Sequence, residues 1–169
     1  MIPTNSSKDN NDGSRLVIFG AGQVALPLAK FASELGFKIT VADSSDEQCN
    51  KERFPMADEL VVCDLTDIKS SVTLTKNDYC VIMTPGHAFD YDLQNQVLRG
   101  DFAYVGVIGN SKKAPGVQQQ LREAGVSDEA IKQIHTPVGL DIKANTVEEI
   151  ALAIAAELVL CRAMNRENQ

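Results

Sequence analysis

The sequence predicts a doubly wound α/β fold, a mostly parallel Rossmann-like sheet with helices on both faces. Three observations predict it. Short apolar runs alternate with stretches of helical period. The runs are nearly continuous in valine, isoleucine and leucine, as strands buried on both faces require. The first run then passes into the first helical stretch through Gly20-Ala21-Gly22-Gln23-Val24-Ala25, a dinucleotide-type turn with alanine in its last glycine position.

Arg15–Gly20 is the first expected strand. Val24, Leu28, Phe31, Ala32 and Leu35 then recur at helical spacing, with Pro27 near the start and Gly36 as the stop. Lys38–Asp43 is a second strand by its β-branched content, and Glu59–Cys63, Tyr79–Met83 and Phe102–Ile108 repeat the pattern. Ala88–Leu98 and Gly116–Ala124 read as helices. Thr146-Val147-Glu148-Glu149 forms a capping box that opens a long last helix. Its stripe of Val147, Ile150, Ala151, Ile154, Leu158 and Cys161 is suited either to cover the sheet or to pair with a second copy as a homodimer. Right-handed crossovers give the expected strand order 3-2-1-4-5. The expected organisation is a polar leader over 1–14, one domain over 15–164 and a short tail over 165–169.

Composition narrows the function. There are 16 lysines and arginines against 23 aspartates and glutamates, a net charge of −7 that disfavours nucleic acid and anionic membranes as partners. No apolar run reaches the roughly 18 residues of a membrane span, and the start lacks the pattern of a signal peptide, so a cytoplasmic location is expected. None of the four cysteines forms a CxxC pair, and no metal site is expected. Cys63, Cys80 and Cys161 fall in apolar segments and read as buried, whereas Cys49 stands in a polar stretch and reads as exposed.

The candidate site gathers three loops at the carboxyl ends of the strands. In the first, Gly20 allows a sharp bend and Gly22 leaves room for a pyrophosphate. Ala21, Gln23 and Val24 complete the turn, and the helix start offers free N–H groups. Asp43 lies 21 residues after Gly22 and suits a ribose diol. Its charge favours NAD over NADP, with no arginine in Ser44-Ser45-Asp46 to offset it. The second loop is Thr84-Pro85-Gly86-His87, with Asp90 three residues beyond. His87 and Asp90 are the candidate catalytic pair, for proton transfer or anion contact. The third is Gly109-Asn110-Ser111-Lys112-Lys113, where Gly109, Ser111 and the lysine pair Lys112 and Lys113 are candidate phosphate contacts. His135, in Ile134–Ile142, reads as a packing histidine with Asp141 as a neighbour that could orient it.

Several segments in order resemble the XdhC/CoxI family, accessory factors for xanthine dehydrogenase and related molybdenum hydroxylases. They are Gly20–Ala25, Glu52-Arg53-Phe54-Pro55 with Ala57-Asp58, Met83–Asp90, Tyr104–Gly109 and Pro137–Ile142. Thr146 with Glu148–Ala151, then Ala156-Glu157-Leu158, completes the series. The likeness is to the family's C-terminal Rossmann domain and covers Arg15 to Arg162. It implies maturation rather than metabolism: binding molybdenum cofactor, favouring its sulfurated form and passing it to the apo-hydroxylase, together with a cysteine desulfurase. Family members commonly carry histidine where Gln23 stands, and a serine–arginine–arginine run where Asn110-Ser111-Lys112-Lys113 stands. The CoxI-like domain with its glycine–glycine–cysteine motif is expected to be a separate partner. Bacterial molybdenum cofactor can carry a nucleotide, which a dinucleotide crevice suits.

Two other functions compete. One is an NAD-dependent oxidoreductase with His87 as acid–base, disfavoured by the lack of a substrate domain within 169 residues. The other is a module that senses the redox state of NAD for a partner.

Overall fold

The computed structural model describes residues 13–109 and 112–168, so most of the expected leader and Ser111 lie outside the described residues. Six parallel strands form one sheet: β1 (Arg15–Phe19), β2 (Lys38–Asp43), β3 (Glu59–Val62), β4 (Asp78–Ile82), β5 (Tyr104–Val107) and β6 (Ile134–His135), in the order 3-2-1-4-5-6. The five strands read from sequence take the predicted order. The sixth adds an edge beside β5, pairing Val105 with Ile134 and Gly106 with His135. At two residues it is too short for periodicity to reveal, and β5 rather than its own pattern recruits it.

Strand alternation divides the core into two layers. Leu16 and Ile18 of β1 face α1 (Ala25–Glu34) and α5 (Val147–Glu167). Val17 and Phe19 face the other side, with α2 (Asp90–Val97), α3 (Ala114–Glu123) and the short α4 (Asp128–Ile131). Helix α1 ends as its sequence foretells: Phe37 N donates to Ala32 O at 3.0 Å and Gly36 N to Ser33 O at 3.0 Å, the paired bonds of a Schellman stop. Helix α4, which has no counterpart among the expected elements, is a single turn capped by the Ser127 hydroxyl on Ala130 N.

The capping box at Thr146 is formed, with Glu149 N donating to the Thr146 hydroxyl at 3.1 Å and Thr146 N to Glu149 Oε2 at 3.0 Å. Ala151, Ile154 and Leu158 are buried with α1 in the core, so this stripe of α5 is spent inside the domain. Val147, Ile150 and Cys161 sit at its half-buried margins. Leu152, Leu160 and Met164 are exposed on the other side of the helix. The helix runs on to Glu167, so residues 165–167 continue it rather than forming a separate tail. Arg162, also buried, donates from Nη2 to the Leu35 carbonyl at 3.0 Å, and its guanidinium lies 4.1 Å above the Phe37 ring.

Two cysteine expectations are corrected. Cys49 is buried, its thiol against the Val41 carbonyl at 3.3 Å, because the polar stretch around it folds back over β2. Cys63 and Cys161 are only half buried, while Cys80 is fully enclosed. Burial raises the thiol pKa at all four. No helix among the described residues is long and apolar enough to cross a membrane.

Candidate functional site

At the turn after β1, two glycines answer to different demands. Gly20 has φ +105°, and a Cβ there would lie 2.5 Å from the Met83 carbonyl oxygen. The protein's own packing of β1 against the β4 end therefore requires glycine. At Gly22 the nearest atom to an added Cβ is Pro85 Cγ at 3.7 Å, an ordinary contact. Nothing among the described residues demands glycine at 22. The next residues enter α1, whose N-cap, Val24, supplies no side-chain hydrogen bond and whose first turn holds no acidic residue. Its leading amides therefore have no side-chain cap.

Asp43 closes the turn from below. It is buried, and its Oδ2 accepts from Ala21 N at 2.7 Å while Oδ1 accepts from Ser45 N at 2.9 Å. Arg53 holds the same turn from outside, donating from Nη1 to the carbonyls of Ala21 and Gln48, each at 2.7 Å. No arginine stands next to Asp43 in the sequence. The fold supplies one ten positions further on, because the segment after β2 doubles back against the turn. The only sequence signal for Arg53 lay in the Glu52-Arg53-Phe54-Pro55 segment.

The loop after β4 is organised by Asp90, the first residue of α2. Its buried carboxylate takes the Thr84 hydroxyl and Thr84 N (3.2 Å) on Oδ1, and His87 Nδ1 at 2.6 Å on Oδ2. Phe89 N donates to the Thr84 hydroxyl at 3.2 Å. To reach Asp90, the backbone turns through Gly86 (φ +64°) and His87 itself (φ +60°). A non-glycine residue in that region costs about 1 kcal/mol, here offset by the carboxylate contact. With Nδ1 held by Asp90, the half-exposed ring keeps Nε2, which has no hydrogen-bond partner among the described residues.

The three loops converge as the topology predicts. Gly22, Gln23 and Val24 line one side of a crevice of about 850 Å³, with Arg53 and Gln48 at the rim. Thr84, Pro85 and His87 line the other side, and Gly109 closes it. Gly20, Ala21 and Asp43 are buried and Gly86 is exposed, and none of these four expected contacts lines the crevice. A second cavity of about 140 Å³ adjoins, entered past His87 and Gly109 between α2 and α3. The lysine lining that cavity is Lys113; Lys112 is exposed at the start of the same turn. No group of three histidines, cysteines, aspartates or glutamates among the described residues could hold a metal ion.

His135 belongs to another structure. Its Nδ1 lies 3.0 Å from Glu157 Oε1, and its ring lies tilted by 33° against Tyr104 at 4.5 Å between centroids. Glu157, not Asp141, orients it; Asp141 pairs with Lys143. Only the tertiary fold brings α5 to β6, so the neighbour in sequence was the wrong partner.

Residues 16–158 match the XdhC Rossmann domain family. The chain belongs to this family. It is 33% identical over 145 residues, 86% of its length, to the uncharacterized protein YqeB of Escherichia coli, of which it covers 27%. It is 28% identical over 148 residues to a probable xanthine dehydrogenase subunit of Bacillus subtilis, covering 88% of this chain and 43% of that one. The crystal structure of a xanthine dehydrogenase from Bacillus halodurans superposes with a TM-score of 0.76 at 32% identity, covering 89% of this chain and 43% of that one. The XdhC domain thus spans less than half the length of these relatives.

Proposed function

We propose that this XdhC domain serves the maturation of a molybdenum hydroxylase of the xanthine dehydrogenase class, and that its crevice binds the nucleotide end of a dinucleotide. One observation carries the binding reading. Gly22 faces the crevice, next to the uncapped start of α1, where the protein itself has no need of a glycine. A residue without a side chain at that point is explained by a ligand that touches the backbone, and free amides at a helix start suit a phosphate. The crevice volume of about 850 Å³ admits a ligand of that size. NAD is preferred over NADP, since Asp43 adds negative charge under the turn and Arg53 Nη1 is occupied by carbonyls. Molybdenum cofactor in its dinucleotide form fits the same nucleotide end.

The hydroxylase association is supported by family membership and by the name of the Bacillus subtilis relative. A cysteine desulfurase and a CoxI-like domain are the proposed further partners. Two measurements test the reading. Mass spectrometry of small molecules released from the purified protein should find a dinucleotide. Deleting the gene should lower hydroxylase activity in the cells that carry it, and unchanged activity would refute the maturation role.

The His87–Asp90 pair favours a second reading, an NAD-dependent oxidoreductase with His87 moving the proton. That reading predicts a turnover abolished by His87→Ala. Dinucleotide bound without turnover of any small carbonyl compound argues against it.

A further inference from the structure

The crevice and the smaller cavity share His87, Ile108 and Gly109, so one ligand can occupy both. From this continuity we infer that the smaller cavity receives a single six-membered ring bearing an N–H donor, of the size and chemistry of nicotinamide, and excludes fused ring systems. The inference rests on the crevice holding the nucleotide end of the same molecule.

Size is the first argument. A dry protein cavity of about 150 Å³ accommodates one benzene ring, and this one measures about 140 Å³. A fused pterin or flavin needs considerably more room. Lining is the second. Val107, Ile108 and Val117 give apolar walls for ring faces, while Gln94, Lys113 and Thr136 add polar groups at separate points. Lys113 is exposed and Thr136 half-buried, so Gln94 is the buried polar group that a ring carrying an amide could meet and an unsubstituted ring could not.

Gln94 sharpens the choice of substituent. It is only 5% exposed. Its Nε2 donates to the Asp90 carbonyl at 3.0 Å, while its Oε1 receives no hydrogen bond from any described residue. That oxygen is open to the cavity rather than enclosed in the protein, so it can accept from a ligand N–H. A carboxamide supplies one. His87 stands where crevice and cavity meet, its Nδ1 tied to Asp90 and its Nε2 available to the ligand between its two ends.

Calorimetric titration of the purified protein with ADP, NAD and flavin adenine dinucleotide tests this. NAD should bind about tenfold more tightly than ADP, because its second ring is buried, whereas the flavin dinucleotide should gain nothing over ADP. In Val117→Phe the introduced ring fills the cavity, and NAD should fall to the affinity of ADP while ADP is unchanged. Should that variant fail to fold, the comparison of NAD with the flavin dinucleotide on the unaltered protein decides alone. ADP binding with no gain for NAD, or a gain for the flavin equal to that for NAD, overturns the ring assignment and leaves the crevice reading standing. No binding of ADP or NAD overturns both.

Discussion

Two histidine–carboxylate pairs in this molecule have the same chemistry and opposite settings. His87 meets Asp90 at 2.6 Å on a loop whose backbone is bent into positive φ to make the contact. His135 meets Glu157 at 3.0 Å between a strand and a helix, with its ring against Tyr104. In the first pair the carboxylate is rooted in its own loop through Thr84, and the imidazole is presented to the crevice. In the second the carboxylate is the hub: Glu157 Oε2 also accepts from the Tyr104 hydroxyl at 2.8 Å and from Gly139 N. A histidine beside a carboxylate is therefore not by itself a site. What separates the two is whether the pair spends itself on joining elements or on holding a ring in open space.

Breaking the hub should have the largest effect. Glu157→Ala leaves the buried Tyr104 hydroxyl and Gly139 N without their acceptor and frees His135. A loss of about 3 kcal/mol is expected, read as a lowered midpoint in urea. Asp90→Ala should cost about 2 kcal/mol, since Thr84 loses the acceptor for both its amide and its hydroxyl. It should also weaken dinucleotide binding, which Glu157→Ala should not do beyond its effect on folding.

The hub also has a pH signature. Burial, and then the neighbouring Glu157 charge, raises the Tyr104 phenol pKa above its ordinary value. A group held protonated in the folded state stabilises it fully below the unfolded pKa, near 10, and less as pH rises beyond that. Unfolding then releases a proton. Stability should therefore fall by up to about 1.4 kcal/mol per pH unit above pH 10 from this residue. Tyr104→Phe should flatten that slope, and a slope unchanged by the substitution would remove the assignment.

The smallest stability effects should fall on the histidines themselves, and there the contrast is sharpest. His135→Ala loses a ring contact and one hydrogen bond, about 1 kcal/mol, with no change in ligand affinity. His87→Ala should shift stability by no more than about 0.5 kcal/mol, because the lost contact is offset against a half-exposed position. Its affinity for NAD should drop several-fold. If the two substitutions prove interchangeable in a thermal melt and in a titration, the distinction between the pairs fails.

Much of the fold was legible in the chain. Five strands, the Schellman stop after α1 and the Thr146 capping box rest on local chemistry, and local chemistry is written in adjacent residues. The edge strand β6 and the single turn of α4 were not legible, since two to four residues carry no period. The same limit explains Cys49. A thiol among polar neighbours looks exposed, and only the fold-back over β2 buries it. At the site, the turn after β1, His87 and Asp90 announced themselves by spacing, Lys113 was marked as one of a lysine pair in its loop and Arg53 only by the segment Glu52-Arg53-Phe54-Pro55, whereas Gln48 and Gln94 carried no local pattern to mark them.

A parallel α/β sheet with a dinucleotide-type turn follows from the order of residues alone, and the ordered motifs pointed to the XdhC family. Strand period, helix caps and glycine at a tight turn act over a few residues, so they survive reading in one dimension. Which acidic residue His135 meets, and which glycine the protein needs for itself and which it leaves to a ligand, emerged only when the chain was packed. So did the small cavity that opens beside His87. Those outcomes depend on distances between elements far apart in the chain, and packing, not local propensity, sets such distances.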